Sequence, residues 1–395
     1  MTGGAGFVGS NLVARLLDEG RRVVVFDSLA RPGSERNLAW LESNDRAEML
    51  TVVRGDIRDA DAVLEVGREA DVIYHLAGQV AVTTSVDHPR HDFEVNALGT
   101  LNMLEAARRS GRHPLFVFTS TNKVYGGMEE IEVVEDGSRY RFRDEPHGIS
   151  EQQPLDFHSP YGCSKGSADQ YVRDYGRIYE LDTVVFRMSC IYGPRQFGNE
   201  DQGWLAHFMI RVAAGEPVTI YGDGKQVRDV LFVEDLVRAF LLLQEKRSLV
   251  TGQVYNIGGG PENSISVWTE FGEALARLSG RDPVVAFESW RPGDQRCYVS
   301  DIRKADKDVG WVPAVSVDEG LRRLWDWVSS RCPTRLRLAF EAGCLVYALS
   351  LPDPVRSVSS RGRRADSRAP AGTWIGEAPH RRLLVLGEPG GRSVN

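Results

Sequence analysis

The chain opens with the run Thr2-Gly3-Gly4-Ala5-Gly6-Phe7-Val8-Gly9-Ser10, in which glycines recur at positions 3, 6 and 9. A helical pattern over residues 11–19 follows, and a short apolar strand then covers residues 23–26. Glycines at this spacing let backbone N–H groups and a helix N terminus approach a pyrophosphate without a Cβ atom in the way. A purely structural glycine turn is the alternative, because a bare glycine pattern is weak evidence. The turn residues that we expect at a dinucleotide are Gly3, Gly6, Phe7, Val8 and Gly9.

Acidic residues follow two of the predicted strands, 23–26 and 51–53. Asp27 comes 18 residues after Gly9, at the end of the strand 23–26. A carboxylate there accepts hydrogen bonds from the adenosine ribose and repels a 2′-phosphate, which favours NAD over NADP. Asp56 and Ile57 follow a strand over residues 51–53 and are candidates for adenine contacts, although a plain turn explains them equally well.

Short β-branched runs alternate with longer helical patterns as far as about residue 190, which is the signature of βαβ units. The pattern predicts strands over residues 23–26, 51–53, 72–76, 115–119, 184–188 and 254–257, the first five buried on both faces, and helices over residues 60–69 and 93–108. The fold class is therefore α/β, a doubly wound parallel Rossmann sheet with a smaller C-terminal α/β substrate domain. We expect residues 1–186, completed by about 228–257, to form the NAD-binding domain, and residues 187–227 and 258–330 to form the substrate domain.

Composition and charge exclude several classes of protein. A formal net charge of −7 over 395 residues gives no general attraction to nucleic acid. No apolar run of about 18 residues occurs, and the glycine-rich start lacks the features of a signal peptide, so we expect a cytoplasmic protein without a membrane span. The five cysteines form no CxxC pair, which predicts reduced thiols and no metal site.

Both ends of the sequence are unusual. Only Met1 and Thr2 precede Gly3, so the first strand of the predicted fold is truncated, and we expect the true start to lie upstream. Residues 331–395 contain 11 Arg, no Lys and five acidic residues. This composition predicts a disordered Arg-rich tail, with a functional basic tail as the alternative.

The sequence contains two Tyr-x-x-x-Lys pairs. Two glycines interrupt the pair Tyr221 and Lys225, which predicts a turn. Tyr161 and Lys165 instead open an amphipathic pattern, with Ser159 as the expected N-cap and Pro160 as the first helical residue. The helical spacing places Tyr161 and Lys165 one turn apart on the same side.

Such a pair suits acid-base work on a sugar alcohol. A phenol with a pKa near 10 is a poor base at neutral pH, but an adjacent lysine ammonium and a nicotinamide cation favour the phenolate. Tyr161 is then the expected proton acceptor, and Thr121, at the end of the strand 115–119, is the expected donor to the same substrate oxygen. Exposed helix residues without a catalytic role are the alternative for Tyr161 and Lys165.

Several motifs together resemble the extended short-chain dehydrogenase/reductase family of nucleotide-sugar enzymes. They are the glycine run above, His75-Leu76-Ala77-Gly78, Ser120-Thr121-Asn122-Lys123-Val124-Tyr125-Gly126, Pro160-Tyr161-Gly162-Cys163-Ser164-Lys165 and Ile191-Tyr192-Gly193-Pro194-Arg195. The resemblance covers residues 2–328 and implies tightly held NAD, a nucleotide-diphosphate sugar substrate, a homo-oligomer of two or four chains, and a catalytic set of Thr121, Tyr161 and Lys165.

The same resemblance assigns further site residues. The positions that line the cofactor in the family are Leu76, Ala77, Gly78, Thr119, Tyr161, Lys165 and Met188. The positions implied at the substrate are Ser85, Thr121, Asn122, Arg195, Arg228 and Arg291. Arg228 and Arg291 match positions that clasp the diphosphate, where a planar guanidinium suits phosphate geometry. A helix cap is the alternative role for Ser85, and a surface position is the alternative for the two arginines.

The resemblance also implies the reaction, which is epimerisation at C2 of a CDP-linked 3,6-dideoxyhexose through a 2-keto sugar. A UDP-hexose 4-epimerase and a 4,6-dehydratase of the same fold are the alternatives. Dehydratases of the family carry Asp-Glu where this chain has Asn122-Lys123, and neither of these residues can supply the acid and base for water loss. A catalytically silent NAD-binding sensor needs only the glycine turn and Asp27, and it leaves Tyr161 and Lys165 unexplained.

Overall fold

The computed structural model describes residues 1–291 and 294–331, so the predictions for the tail after Arg331 lie outside the described residues. The helices are α1 Phe7–Asp18, α2 Ser34–Glu42, α3 Ala60–Gly67, α4 Val82–Asp87, α5 Pro89–Phe93, α6 Gly99–Arg109, α7 Ser159–Ile178, α8 Trp204–Ala213, α9 Val233–Glu245, α10 Arg247–Val250, α11 Phe271–Ser279, α12 Arg303–Val309 and α13 Val317–Ser329. The strands are β1 Val23–Asp27, β2 Leu50–Arg54, β3 Val72–His75, β4 Leu115–Thr121, β5 Val133–Asp136, β6 Arg139–Phe142, β7 Thr183–Met188, β8 Cys190–Tyr192, β9 Val218–Tyr221, β10 Val227–Phe232, β11 Gln253–Ile257, β12 Ser264–Ser266, β13 Val285–Glu288 and β14 Cys297–Tyr298.

The main sheet is parallel throughout. Its strands run in the order β2, β1, Thr2, β3, β4, β7 and β11, because Thr2 forms parallel bridges to both Phe26 and His75. The short segment around Thr2 therefore occupies the centre of the sheet, where a full first strand would lie. Helices cover both faces, which confirms the predicted α/β class and the doubly wound Rossmann arrangement.

Apolar strands hold this sheet between its helices. Every residue of β4 is buried. On one side Leu12, Phe186 and Phe240 belong to a core that includes α1 and α9, and on the other side Phe118 and Val172 pack in a core that includes α6 and α7. The prediction that all five early strands are buried on both faces is wrong for β2, which is only partly buried because it is the edge strand.

Two helix predictions need correction. The helix predicted over residues 93–108 is interrupted by a π-helical turn at Glu94–Leu98, after which α6 begins. Helix α7 begins at Ser159 itself, and His158 precedes it as the N-cap residue. The Ser159 hydroxyl still accepts the N–H of Gly162 at 3.2 Å, so the side chain satisfies the helix end although its backbone φ is +62°.

Among the described residues, three smaller sheets lie outside the main sheet. Strand β10 lies at the centre of the largest of them, parallel to β8 and β14 and antiparallel to β12. Strands β9 and β13 pair with each other, and β5 and β6 form a hairpin. Strand β11 follows β10 in the chain but pairs with β7 in the main sheet. In the part of the chain that the structure describes, no helix has the length and apolar character needed to cross a membrane.

Candidate active site

The glycine turn is a cradle with no room for side chains. Gly3 has φ +68°, and a Cβ atom there would lie 2.7 Å from the backbone nitrogen of Ala77. A Cβ on Gly9 would lie 2.1 Å from the carbonyl oxygen of Gly3. Gly6 caps α1 without a side-chain hydrogen bond, so the N–H groups at the start of this helix, including those of Phe7 and Val8, are available to an anion. The geometry fits the pyrophosphate of a dinucleotide.

Asp27 lies against the same turn. Its carboxylate accepts the N–H of Ala5 and the N–H of Leu29, each at 2.9 Å. This places the carboxylate at the end of β1, beside the expected ribose position. Asp56 instead pairs with Arg58 at 2.7 Å, and this hydrogen bond lowers the pKa of Asp56. The neighbouring Ile57 is buried against α6.

Residues 76–78 lie between the glycine turn and helix α7. The hydroxyl of Thr2 accepts the N–H of Ala77 at 3.3 Å. A Cβ on Gly78 would lie 3.0 Å from Oδ1 of Asn96 and 3.9 Å from Nζ of Lys165. Leu76, Ala77 and Gly78 therefore lie together with the glycine turn on one side and Lys165 on the other.

Lys165 is buried on α7 and reaches across to the end of β4. Its Nζ donates to the carbonyl oxygen of Thr119 at 2.6 Å. Burial lowers the pKa of Lys165 to about 7, and the carboxylates of Asp169 and Asp92 oppose that shift. The ammonium is thus poorly stabilised by the protein alone, and it can donate to a cofactor ribose placed over the cradle.

Tyr161 lies one helical turn before Lys165 and is also buried. Burial raises the pKa of Tyr161 to about 12, and its hydrogen bond with Thr121 offsets only part of that rise. Thr121 ends β4, where its hydroxyl accepts the N–H of Lys123 at 3.2 Å. Met188, at the end of β7, is paired in register with Thr121. A phenol with a raised pKa is a poor base at neutral pH, and a positive charge close to it would lower that pKa.

A buried polar network behind these residues escaped the sequence analysis. Asn96 donates to Ser164 and Asp92, each at 3.1 Å, and Ser164 donates to Asp92. A second buried group joins Asp169 to Arg187 at 3.0 Å and to Ser120 at 2.8 Å. Ser120 lies between Thr119 and Thr121, so the ion pair fixes this strand end against the catalytic helix. The available signal was polar residues inside otherwise apolar strand and helix patterns.

Arg31 is another residue that no sequence motif singled out. It follows β1 in the loop that leads to α2, and its positive charge lowers the pKa of Tyr161 as a minor contribution beside the effect of burial. This loop therefore adds a positive charge to the surroundings of Tyr161.

The predicted substrate residues fall into separate groups. Ser85 is fully buried, and its hydroxyl accepts the N–H of Tyr161 at 3.1 Å, so it positions the start of α7. Asn122 is buried beside Thr121, with 3.3 Å between Oδ1 and the threonine hydroxyl. Arg195 does not lie with these residues. Its guanidinium stacks 3.8 Å from the ring of Trp40 in α2, and its backbone has φ +74°.

The two arginines expected at a diphosphate are paired with carboxylates. Arg228, on β10, donates to Asp294 at 2.7 Å and is almost fully buried. Arg291 donates to Glu200 at 3.0 Å and stacks 3.8 Å over the ring of Tyr221. Lys225, the lysine of the second Tyr-x-x-x-Lys pair, forms an ion pair with Glu135.

Comparisons with known proteins agree with this geometry. The sequence model of the GDP-mannose 4,6 dehydratase family matches residues 1–324. The chain belongs to this family. The CDP-paratose 2-epimerase of Salmonella typhi is 44% identical over 337 residues, which cover 84% of this chain and 98% of that protein.

Two solved members of the family give the same architecture. The dTDP-glucose 4,6-dehydratase of Streptomyces venezuelae, solved with NAD bound, superposes with a TM-score of 0.72 at 31% identity, covering 84% of this chain and 96% of that one. The UDP-glucose 4-epimerase of Thermus thermophilus, a complex with NAD, gives a TM-score of 0.68 at 34% identity, covering 84% and 98%. These relatives confirm the predicted family, fold class and class of enzyme, and NAD is the cofactor that the sequence predicted.

Proposed function

We propose that this protein is an NAD-dependent epimerase that inverts C2 of CDP-paratose to give CDP-tyvelose. The observation that carries the proposal is the buried set of Thr121, Tyr161 and Lys165 at the edge of the glycine cradle. The 44% identity to a CDP-paratose 2-epimerase supports the choice of substrate and reacting carbon.

The residues divide the work on the C2 hydroxyl. Tyr161 takes the hydroxyl proton, and Thr121 donates a hydrogen bond to the same oxygen, since the two side chains already contact each other. Lys165 holds the cofactor ribose, and in its protonated form it adds positive charge near the phenol. When bound at the cradle, NAD supplies a reversible acceptor for the C2 hydride. Return of the hydride to the other face of the 2-keto sugar inverts the centre, and Tyr161 gives back the proton.

Inversion requires the sugar to turn while the nucleotide stays in place. Arg228 and Arg291 are the residues that we propose hold the diphosphate, and both are tied to carboxylates, Asp294 and Glu200, in this structure. The diphosphate of a nucleotide sugar has four non-bridging oxygens that accept hydrogen bonds from planar guanidinium groups. It can therefore replace these carboxylates as the partner of the two arginines. The clamp then leaves the sugar free to swing about its phosphate linkage.

The side chains beside Thr121 disfavour dehydration. A 4,6-dehydratase needs a carboxylic acid and a carboxylate at the two positions after this threonine, and here Asn122 and Lys123 are present. An amide cannot exchange the proton, and an ammonium cannot accept one. The 2-keto sugar is therefore formed without a neighbouring carboxylate that would promote loss of water.

A homo-oligomer and a cytoplasmic location complete the proposal. Large apolar side chains are exposed on α4, α5, the following π-helical turn and α7, which is typical of a surface that a second copy covers. They are Val86, Phe93, Leu98, Tyr171 and Ile178. Of the residues that the structure describes, the three cysteines Cys163, Cys190 and Cys297 are free thiols, as expected in a reducing compartment.

A panel of nucleotide sugars tests the proposal. The purified protein is incubated with CDP-paratose, UDP-glucose and dTDP-glucose, and the products are identified by NMR. We expect conversion of CDP-paratose to CDP-tyvelose without added NAD, and no 4-keto-6-deoxy product from dTDP-glucose. Inversion at C4 of UDP-glucose with no reaction of CDP-paratose would make the protein a 4-epimerase instead.

A further inference from the structure

The amine of Lys123 has few hydrogen-bond partners. It lies between the turn that follows Thr121 and Arg228, which with Arg291 forms the proposed diphosphate clamp. Lys123 belongs to the short helical turn Asn122–Tyr125 that follows β4, and its backbone N–H donates to the hydroxyl of Thr121. At the other end of the side chain, Nζ has a 3.4 Å contact with Oε1 of Gln295. An ammonium carries three donors, so this one long contact leaves most of its hydrogen-bonding capacity unused.

Arg228 lies near Lys123. Arg228 donates to Asp294 at 2.7 Å, and the next residue, Gln295, contacts Nζ of Lys123. Burial and the charge of Arg228 both lower the pKa of Lys123, as expected where two cations approach each other, and Asp294 opposes this shift. A phosphate placed between the two cations would interact favourably with both.

Gln295 sets the direction of the lysine. Its amide nitrogen donates to the carbonyl oxygen of Gly126 at 2.6 Å, so its oxygen is held toward Nζ of Lys123. Gly126 ends the same turn that carries Lys123. The amine is thus held beside Gln295, and the adjacent Asp294 accepts from Arg228, the residue proposed at the diphosphate.

We propose that Lys123 binds the sugar-bearing phosphate of the nucleotide-diphosphate substrate and completes the clamp begun by Arg228. This inference rests on the proposed function only in taking a nucleotide-diphosphate sugar as substrate. Lys123 is the pivot of the clamp, since it contacts the phosphate about which the sugar turns. It also stands at the position where a dehydratase of the family carries the second of its two acidic residues.

Binding measurements with nucleotides test the proposal without any turnover. The affinities of the NAD-loaded protein for CDP and for CMP are measured by calorimetry, since only CDP has a second phosphate. In Lys123→Met we expect the affinity for CDP to fall by about tenfold or more, as for loss of a hydrogen bond between charged groups. The affinity for CMP should change by less than about twofold. Lys123→Arg, which keeps the charge, should restore much of the preference for CDP.

Lys225→Met is the matched control. It removes a partly exposed lysine whose partner is Glu135, outside the clamp, and should leave the ratio of CDP to CMP affinity unchanged. If Lys123→Met does not fold, as judged by bound NAD and melting temperature, Lys123→Gln replaces it with a neutral polar side chain in the same measurement.

The outcomes separate this inference from the proposed reaction. An unchanged ratio of CDP to CMP affinity in Lys123→Met or Lys123→Gln would overturn the role of Lys123, whatever the wild-type protein catalyses. If the wild-type protein binds UDP and UMP instead of CDP and CMP, the ratio of diphosphate to monophosphate affinity is measured with UDP and UMP. A variant that loses affinity for UDP but not for UMP would then support the role of Lys123, and the assignment of a CDP-sugar substrate would fail. Equal weakening of the diphosphate and the monophosphate would also overturn it, because it would show a general loss of the site.

Discussion

Replacing Tyr161 with phenylalanine removes one hydroxyl from the proposed catalytic set and leaves the ring in place. The side chain is buried, and the hydroxyl has Thr121 as its hydrogen-bond partner. Loss of one such bond costs about 1 kcal/mol of folding free energy. We therefore expect Tyr161→Phe to fold, to retain NAD and to melt close to the wild-type temperature.

The loss of activity should be far larger than the loss of stability. The pKa of Tyr161 is about 12 in the protein without cofactor, so at pH 8 roughly one molecule in ten thousand carries the phenolate. Catalysis by this residue consequently depends on nearby cations that lower the pKa of the phenol. Phenylalanine has no hydroxyl that could lose a proton. A general base contributes about 10²- to 10⁴-fold to the rate, and we expect kcat to fall within this range.

The assay follows conversion of the nucleotide sugar by NMR and measures bound NAD by its absorbance after denaturation. Tyr175→Phe is the matched control, because it removes a hydroxyl from the same helix, where Tyr175 donates to Glu105 at 2.7 Å outside the site. Its kcat should equal that of the wild type. A Tyr161→Phe enzyme within tenfold of wild-type kcat would show that another group takes the proton.

Other consequences follow from Lys165, Asp27 and the dehydratase positions. Burial lowers the pKa of Lys165 from 10.5 in the unfolded chain to about 7 in the folded protein. At a pH between these two pKa values, the unfolded chain holds a proton that the folded protein has released. The free energy of unfolding therefore increases with pH in this window. Cofactor-free Lys165→Met should therefore gain less in melting temperature than wild type between pH 7 and 9, and equal gains in calorimetry would contradict the shift. Asp27→Ala should bring the affinities for NAD and NADP together by relieving repulsion of the 2′-phosphate, and titrations that keep the wild-type ratio would remove Asp27 from the ribose site. Asn122→Asp with Lys123→Glu should lower epimerase turnover by at least about tenfold, as expected when a charge-assisted contact is lost; unchanged NMR conversion rates would count against the proposed roles of both side chains.

Much of the nucleotide-binding half was predictable because its signals are local. The glycine run, the helix after it and the strand ending at Asp27 lie next to each other in the chain, and the structure builds α1 and β1 from them. The positions of the parallel strands along the chain also followed from the alternation of apolar runs. The exposure of β2 did not, since a strand's place at the sheet edge depends on what pairs beside it.

The substrate side was less predictable because tertiary packing assembles it. Lys123, Arg228 and Asp294 come from three separate segments, and no spacing in the sequence shows that they meet. The resemblance assigned Arg195 to the substrate, and in the structure its guanidinium lies over the ring of Trp40. The pKa of Tyr161 was expected to be low with both lysine and cofactor nearby, and in the structure burial opposes this expectation.

The most direct test of the proposed reaction uses CDP-paratose that carries deuterium at C2. If hydride leaves C2, stays within the closed site and returns to the same carbon, the CDP-tyvelose formed in ordinary water keeps its deuterium at C2. Epimerisation by removal of a proton would exchange the label with solvent. We predict full retention by NMR and mass spectrometry in the first turnovers, and product with hydrogen at C2 would contradict the account.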